Sequence, residues 1–109
     1  MDKPVHKVAE LMGMLANENR LLILCALLER PMTVGELSKY VPNISAPALS
    51  QHLHKLTVAG LISFEKEAQF SRYTISDPHL HKLMALLREE YCPGENILQE
   101  PSQSSNGTV

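Results

Sequence analysis

Two helix-capping signals constrain this chain of 109 residues more than any other feature, because they lie only twelve positions apart. Thr33 and Glu36 have the T-x-x-E spacing of a capping box, in which each side chain accepts a hydrogen bond from the other residue's backbone N–H. Ser45 can cap a second helix, and Pro47 is tolerated in its first turn, where the missing N–H has no helical partner. The two caps therefore predict a short helix followed closely by a longer one.

The predicted short helix covers residues 34–40 and the longer helix residues 46–59, with a tight connection at residues 43–44. Pro42 ends the first helix, since proline has no N–H to continue the hydrogen-bond ladder. Gly60 closes the second helix, because glycine readily adopts the left-handed conformation that follows a helix end.

The outer face of the longer helix has an unusual composition. Leu49, Leu53 and Leu56 form one narrow apolar face, and no Asp or Glu occurs anywhere in residues 46–59. A helix that is merely solvated mixes Glu with Lys on its outer side. This outer side instead carries hydrogen-bonding side chains and one positive charge, at Ser50, Gln51, His54 and Lys55.

Apolar residues at intervals of three and four predict further helices at residues 6–16 and 79–91. Asn17 and Asn19 can cap another helix at residues 18–29, whose centre is apolar almost all round and is therefore expected to be buried. Residues 61–65 and 70–75 have a strand-like pattern, and polar residues 66–69 form the tip of a hairpin between them. We therefore expect a mainly α-helical domain with a small β-hairpin, over residues 1–93. Residues 94–109 are rich in Pro, Ser, Gln and Asn and are predicted to be a disordered tail.

The net charge of −2 conceals an uneven distribution. Residues 1–88 contain all 10 basic residues and 8 of the 12 acidic ones, which gives 10 − 8 = +2. The remaining four acids lie in residues 89–109. A compact body of charge +2 can present a basic face to nucleic acid.

Several classes of protein are excluded by what the sequence lacks. The longest apolar run, residues 21–28, is far short of the roughly 20 residues of a membrane span, and we expect a cytoplasmic protein. Cys25 and Cys92 are 67 positions apart and form no C-x-x-C motif, which excludes a local four-ligand zinc site. No cofactor loop and no catalytic Ser, His and acid arrangement is suggested, so we predict neither an enzyme nor a bound cofactor.

The order of elements predicts a winged helix-turn-helix that binds double-stranded DNA, with the acid-free helix as recognition helix and the hairpin as wing. Gln51 can read a base edge, and basic residues can hold phosphates. Two structural alternatives stay open: Ser45 acts only as a cap, and Arg72 pairs with Glu65 across the hairpin. The candidate DNA-binding residues are Ser45, Pro47, Ala48, Ser50, Gln51, His54, Lys55, Lys66 and Arg72.

Over about residues 8–92 the chain resembles the ArsR/SmtB family of dimeric winged-helix repressors. The matching stretches are residues 15–21, 33–37, 48–53 and 59–62. The resemblance implies a homodimer built on the first and last helices, which bear two apolar stripes, and a partly palindromic operator. One stripe could instead serve only the core of the protomer. The candidate dimer residues are Val8, Leu11, Leu15, Leu80, Leu83, Met84 and Leu87.

Members of this family often sense metals, but the metal ligands are incomplete here. The family's cysteine box falls on residues 36–40, which contain no Cys. Asp77 and His79 match the first half of a second metal site, whose other half needs a His near Glu90, where none occurs. His81 does not repair that pattern. We therefore predict no metal site, with Asp77 as a helix cap.

A thiol-sensing subgroup of the family is matched more closely. Its two cysteines lie in the contexts that Ile23-Leu24-Cys25 and Tyr91-Cys92 show here. The resemblance implies a repressor that releases its operator when reactive sulfur species or oxidants link Cys25 to Cys92. The alternatives are a constitutive repressor with inert cysteines, an adaptor that binds only proteins, and a metal sensor that uses Asp77, His79, His81 and Glu90.

Overall fold

The computed structural model describes residues 3–91 of the chain. This part folds mainly into helices, with one small antiparallel sheet of strand order β1-β3-β2. The predicted fold class is therefore confirmed. The predicted tail, residues 94–109, and Cys92 lie outside the described residues. The elements are α1 (Pro4–Leu15), α2 (Glu18–Glu29), β1 (Met32–Thr33), α3 (Val34–Leu37), α4 (Ala46–Val58), β2 (Ile62–Glu67), β3 (Phe70–Ile75) and α5 (Pro78–Tyr91).

Helix α2 forms the centre of the core. Asn17 caps it, since the Asn17 Oδ1 atom accepts a hydrogen bond from the Arg20 backbone N–H at 3.1 Å. Residues 23–27 are all buried. Helix α2 contacts α1, α5 and β3, and this enclosure explains why its sequence is apolar almost all round.

The helix-turn-helix follows the capping signals. The Thr33 Oγ1 atom accepts from the Glu36 N–H at 3.2 Å, and the Thr33 N–H donates to Glu36 Oε1 at 3.0 Å, so the capping box is confirmed. Helix α3 ends at Leu37, three residues earlier than predicted. Helix α4 ends at Val58, and Gly60 has the positive φ of 80° that its place after the helix requires.

The predicted two-stranded hairpin is part of a three-stranded sheet. The missed strand, β1, pairs Met32 with Tyr73 and Thr33 with Arg72. A strand of two residues is too short to show an alternating pattern, so no sequence signal marked it. The hairpin is also tighter than predicted, because its strands reach Glu67 and Phe70.

The two apolar stripes serve mainly the core of the protomer. Leu15, Leu80 and Met84 are 6%, 0% and 2% exposed, so they leave almost no surface for a partner. This corrects the prediction that these three residues line a dimer interface: α1 and α5 turn them inward, toward the cluster around α2. Val8 is exposed, and Leu11, Leu83 and Leu87 are half-buried.

Within residues 3–91, no single helix is long and apolar enough to cross a membrane. Helices α1 and α2 meet the length and composition test only when taken together, and they are bent by 94° at the break between them.

Candidate nucleic-acid interface

The outer face of α4 is open to solvent. Burial of Leu49, Leu53 and Leu56 fixes which side of the helix points inward. Ala48 is half-buried, and the other predicted DNA-binding residues of this region are exposed: Ser45, Pro47, Ser50, Gln51, His54 and Lys55. The structure thus brings together the hydrogen-bonding side chains that the sequence placed on one face.

Ser45 has a structural task at the start of this helix. Its Oγ atom accepts a hydrogen bond from the Ala48 backbone N–H at 3.2 Å, so the capping role weighed from the sequence is confirmed. A cap of this kind satisfies one of the N–H groups that the first helical turn leaves without a partner. A contact of Ser45 with DNA stays a prediction.

The wing carries charges of both signs. Lys66 is exposed on β2, between Glu65 and Glu67. Arg72 lies directly opposite Glu65 in the strand register, but the alternative of an Arg72–Glu65 pair is wrong. The Arg72 Nε atom instead donates to Glu67 Oε1 at 3.0 Å, and Nη1 donates to Glu36 Oε1 at 3.3 Å.

Glu36 connects the helix-turn-helix to the wing. Besides bonding to the Thr33 N–H and to Arg72, its Oε1 atom lies 3.5 Å from Arg30 Nη1. The hydrogen bond from the Thr33 backbone, with the charges of Arg30 and Arg72, lowers the pKa of Glu36. The hydrogen bond to Glu67 raises the pKa of Arg72. Both groups are therefore ionised at neutral pH, and the wing is tied to α3 by charge.

A second link, which the sequence did not reveal, connects α4 to α1 and α2. The Arg20 Nε atom donates to His52 Nδ1 at 3.3 Å, and Arg20 Nη1 donates to the Met14 carbonyl oxygen at 3.1 Å. Burial lowers the pKa of His52, and the charges of Arg20 and Lys55 lower it further. His52 is therefore neutral at physiological pH, as its acceptor role requires.

Of the two cysteines that the sequence predicts to act in sensing, Cys25 lies within the described residues. Cys25 is 2% exposed in the middle of α2. Arg88 of α5 contacts Glu29 at the end of α2, one helical turn after Cys25. Asp77 Oδ1 accepts from the His79 N–H at 2.9 Å, which confirms Asp77 as a cap. Among residues 3–91, no three His, Cys, Asp or Glu side chains are grouped closely enough to hold a metal ion.

Comparison with known proteins gives one consistent family. A family model described as "Bacterial regulatory protein, arsR family" matches residues 17–63. The transcriptional activator HlyU of Vibrio cholerae is 44% identical over 92 residues, which are 84% of this chain and 84% of HlyU. A biofilm growth-associated repressor of Agrobacterium fabrum is 34% identical over 98 residues, 89% of this chain and 83% of the relative.

Solved structures agree. HlyU from V. cholerae N16961 matches with a TM-score of 0.78 at 43% identity, covering 84% of this chain and 99% of that one. The homodimeric winged helix-turn-helix DNA-binding domain of Mb0332 from Mycobacterium bovis matches with a TM-score of 0.70 at 25% identity, covering 80% of each chain.

Proposed function

This chain belongs to the ArsR family of bacterial transcriptional regulators, and we propose that it binds operator DNA as a homodimer, represses transcription, and releases the operator when Cys25 and Cys92 become linked. A regulator of this family is not an enzyme. The observation that carries the proposal is the exposed, acid-free face of α4, which follows a capped α3 and precedes a wing. In a helix-turn-helix this second helix enters the major groove.

Operator binding is tested with two substitutions that differ in what they remove. Gln51→Ala should weaken binding to the specific site by about 1–3 kcal/mol, because a glutamine can bond to two atoms of an adenine edge. Lys55→Ala should weaken binding to all sequences alike and reduce the salt dependence by about one phosphate contact per protomer. Val58→Ala is the matched control, since Val58 is 72% exposed near the far end of the same helix. Binding that is unchanged in both test variants would refute this use of the α4 face.

The homodimer is proposed from the apolar surface that α1 and α5 leave uncovered. Val5, Val8 and Met12 of α1 are 70%, 53% and 44% exposed. Val8 also lines an open cleft of about 870 Å³, together with residues that include Leu11, Met14 and Leu61. Exposed apolar patches of this kind are costly unless a partner covers them. The homodimeric state of the Mb0332 domain supports the same conclusion.

Sedimentation at tens of micromolar tests this assembly. We expect a dimer for the wild type and a shift toward monomer for Val8→Asp, with Val58→Asp as the control at another exposed valine, on α4. A wild-type monomer at this concentration in dilute salt would refute the dimer and, with it, recognition of a two-fold operator.

Repression rather than activation is proposed because the A. fabrum relative is named a repressor, although HlyU is named an activator. Transcription in vitro from the promoter of the protein's own gene shows directly whether the protein represses or activates. We expect fewer transcripts as reduced protein is added, and more transcripts would reverse the proposal.

The proposed switch is thiol chemistry between α2 and the end of α5. A persulfide donor transfers sulfur to the Cys92 thiolate and leaves as a thiolate itself, giving a Cys92 persulfide. The Cys25 thiolate then attacks the inner sulfur, forming the disulfide and expelling hydrosulfide. Where a polysulfide donor has left a longer chain on Cys92, attack on the second sulfur expels the terminal sulfur as hydrosulfide and leaves a trisulfide link. The burial of Cys25 supports its role as the slower partner. The Arg88–Glu29 contact supports the pairing of the two cysteines. It joins the last turn of α5, which directly precedes Cys92 in the sequence, to the end of α2, one turn after Cys25.

Single serine variants decide whether this pair is the sensor. Cys25→Ser and Cys92→Ser should each bind the operator when reduced, and each should fail to release it when persulfide is added. The wild type should release the operator and bind it again after dithiothreitol, which controls for damage. Release that persists in either variant would refute the pair as the sensor.

A further inference from the structure

We propose that Arg20 and His52 form a positioning pair that sets α4 in its DNA-binding orientation, and that operator binding requires His52 in its neutral form. The inference rests on the proposed use of α4 to bind the operator. It concerns residues that lie behind the DNA-contacting face and hold it in place.

The pair joins three helices through one guanidinium group. Arg20 lies in the first turn of α2, where Asn17 caps the helix. Its Nη1 atom donates to the carbonyl oxygen of Met14 in α1, at 3.1 Å, and its Nε atom donates to His52 Nδ1 in α4, at 3.3 Å. Because the guanidinium is planar and its donors point in fixed directions, the two bonds fix α4 relative to the α1–α2 unit.

His52 is placed so that its position decides where the binding residues point. It is half-buried, next to exposed Gln51 and to buried Leu53. The leucines of the inner face hold α4 by non-directional packing, which tolerates small rotations about the helix axis. A directional bond at His52 limits that rotation, and a recognition side chain must be held to within a fraction of an ångström to bond to a base edge.

The bond sets the protonation state of the imidazole. Nδ1 can accept a hydrogen bond from Arg20 only when it carries no proton, so the neutral tautomer has its proton on Nε2. A proton on Nδ1 would turn the acceptor into a donor and place a positive charge 3.3 Å from the Arg20 nitrogen. The charged groups that act on His52 are Arg20 from α2 and Lys55 from α4, both positive.

The direction of the pH effect follows from these contacts. Burial and the two cations lower the pKa of folded His52 below 6.5. The pair is therefore complete above about pH 6.5 and is lost as the pH falls through the lowered pKa. This trend opposes the usual one, in which protonation of exposed histidines strengthens binding to a polyanion.

The first test compares two histidines of the same helix. In His52→Gln, the amide oxygen can accept from Arg20 but does not titrate. Operator affinity is measured for the wild type and for this variant between pH 8 and pH 5.5. The ratio of wild-type to variant affinity should fall by about tenfold over this range, the scale of one hydrogen bond to a charged group. For the control His54→Gln, at an exposed residue of the same helix, the same ratio should not fall.

The second test removes the donor. Lysine at position 20 keeps the positive charge but lacks the planar guanidinium, whose donors point in fixed directions. Arg20→Lys should therefore weaken operator binding at pH 8 by about tenfold. When His52→Gln is added to Arg20→Lys, it should no longer change how operator affinity depends on pH. Arg20→Lys that binds like the wild type would overturn the proposal.

A third test uses only the wild-type protein, so it does not depend on the folding of any variant. NMR of the imidazole nitrogens reports the tautomer and the pKa of His52. We expect His52 as the Nε2–H tautomer, with a pKa below the ordinary value of a histidine. A proton on Nδ1 at pH 8, or a wild-type to His52→Gln ratio that stays flat with pH, would overturn the positioning pair alone. Absence of specific DNA binding by the wild type at pH 8 would overturn the proposed function and this inference together.

Discussion

Replacing Glu67 with glutamine tests whether the wing arginine contacts DNA. Arg72 donates from Nε to Glu67 at 3.0 Å and from Nη1 to Glu36 at 3.3 Å. A DNA phosphate that approaches the wing must compete with Glu67 for the Nε edge of the same guanidinium. The Glu67 side chain is 53% exposed, so water screens this ion pair and a phosphate can displace it. Glu67→Gln should therefore strengthen operator binding.

The size of the effect follows from counterion release. Each phosphate that a protein neutralises on duplex DNA makes the slope of log affinity against log salt steeper by about 0.9. A dimer has two wings, so the slope for Glu67→Gln should be steeper than the wild-type slope by about 1.8. A fourfold rise in salt, from about 50 to about 200 mM, should then reduce the variant's advantage by about twelvefold.

Glu65→Gln is the matched control for this prediction. Glu65 lies on the same strand and directly opposite Arg72, but Arg72 bonds to Glu67 and Glu36. Both substitutions remove one negative charge from the wing, so both reduce long-range repulsion of DNA. Salt screens this long-range term in both variants alike, so Glu67→Gln should have the steeper salt slope of the two. Fluorescence anisotropy with the operator duplex at four salt concentrations measures both quantities, and equal slopes for the two variants would refute the exchange of Glu67 for phosphate.

Three further predictions concern the free energy of unfolding, measured by urea titration without DNA. Leu53→Ala should lower it by about 2–5 kcal/mol, because Leu53 is 1% exposed, whereas Val58→Ala should change it by less than about 0.5 kcal/mol. Ser45→Ala should lower it by about 1 kcal/mol through loss of the bond to the Ala48 N–H; no loss would show that the cap is dispensable. Ala68→Gly should raise it by up to about 1 kcal/mol, since Ala68 has a φ of 57°, and a decrease would contradict this strain.

The sequence predicted the helices well because their ends are set by local chemistry. Asn17, Thr33 and Ser45 each accept a hydrogen bond from an N–H three residues later, and such a bond depends on a few neighbouring residues. The inner face of α4 was also predicted, since Leu49, Leu53 and Leu56 repeat with the period of the helix itself. The exposed face then followed as its complement.

The role of the apolar stripes could not be predicted from the sequence in the same way. Periodicity shows that one side of a helix is apolar, but not whether its own protomer or a second copy covers that side. Leu80 and Met84 of α5 are covered by the protomer, while Leu83 and Leu87 of the same helix remain half-buried. The choice depends on how α5 crosses α2, which is a property of the whole fold.

The contacts that hold α4 and the wing were missed for a related reason. Arg20 and His52 are 32 positions apart, and Arg72 and Glu36 are 36 positions apart. No local sequence pattern links such residues, because the sequence alone allows many different pairs of charged or polar side chains. The proposed α4 interface gives these contacts their importance, because its face has little charge with which to bind DNA by electrostatics alone. An operator read mainly by uncharged side chains would depend on their orientation, and we propose that this orientation is set by residues that the DNA does not touch.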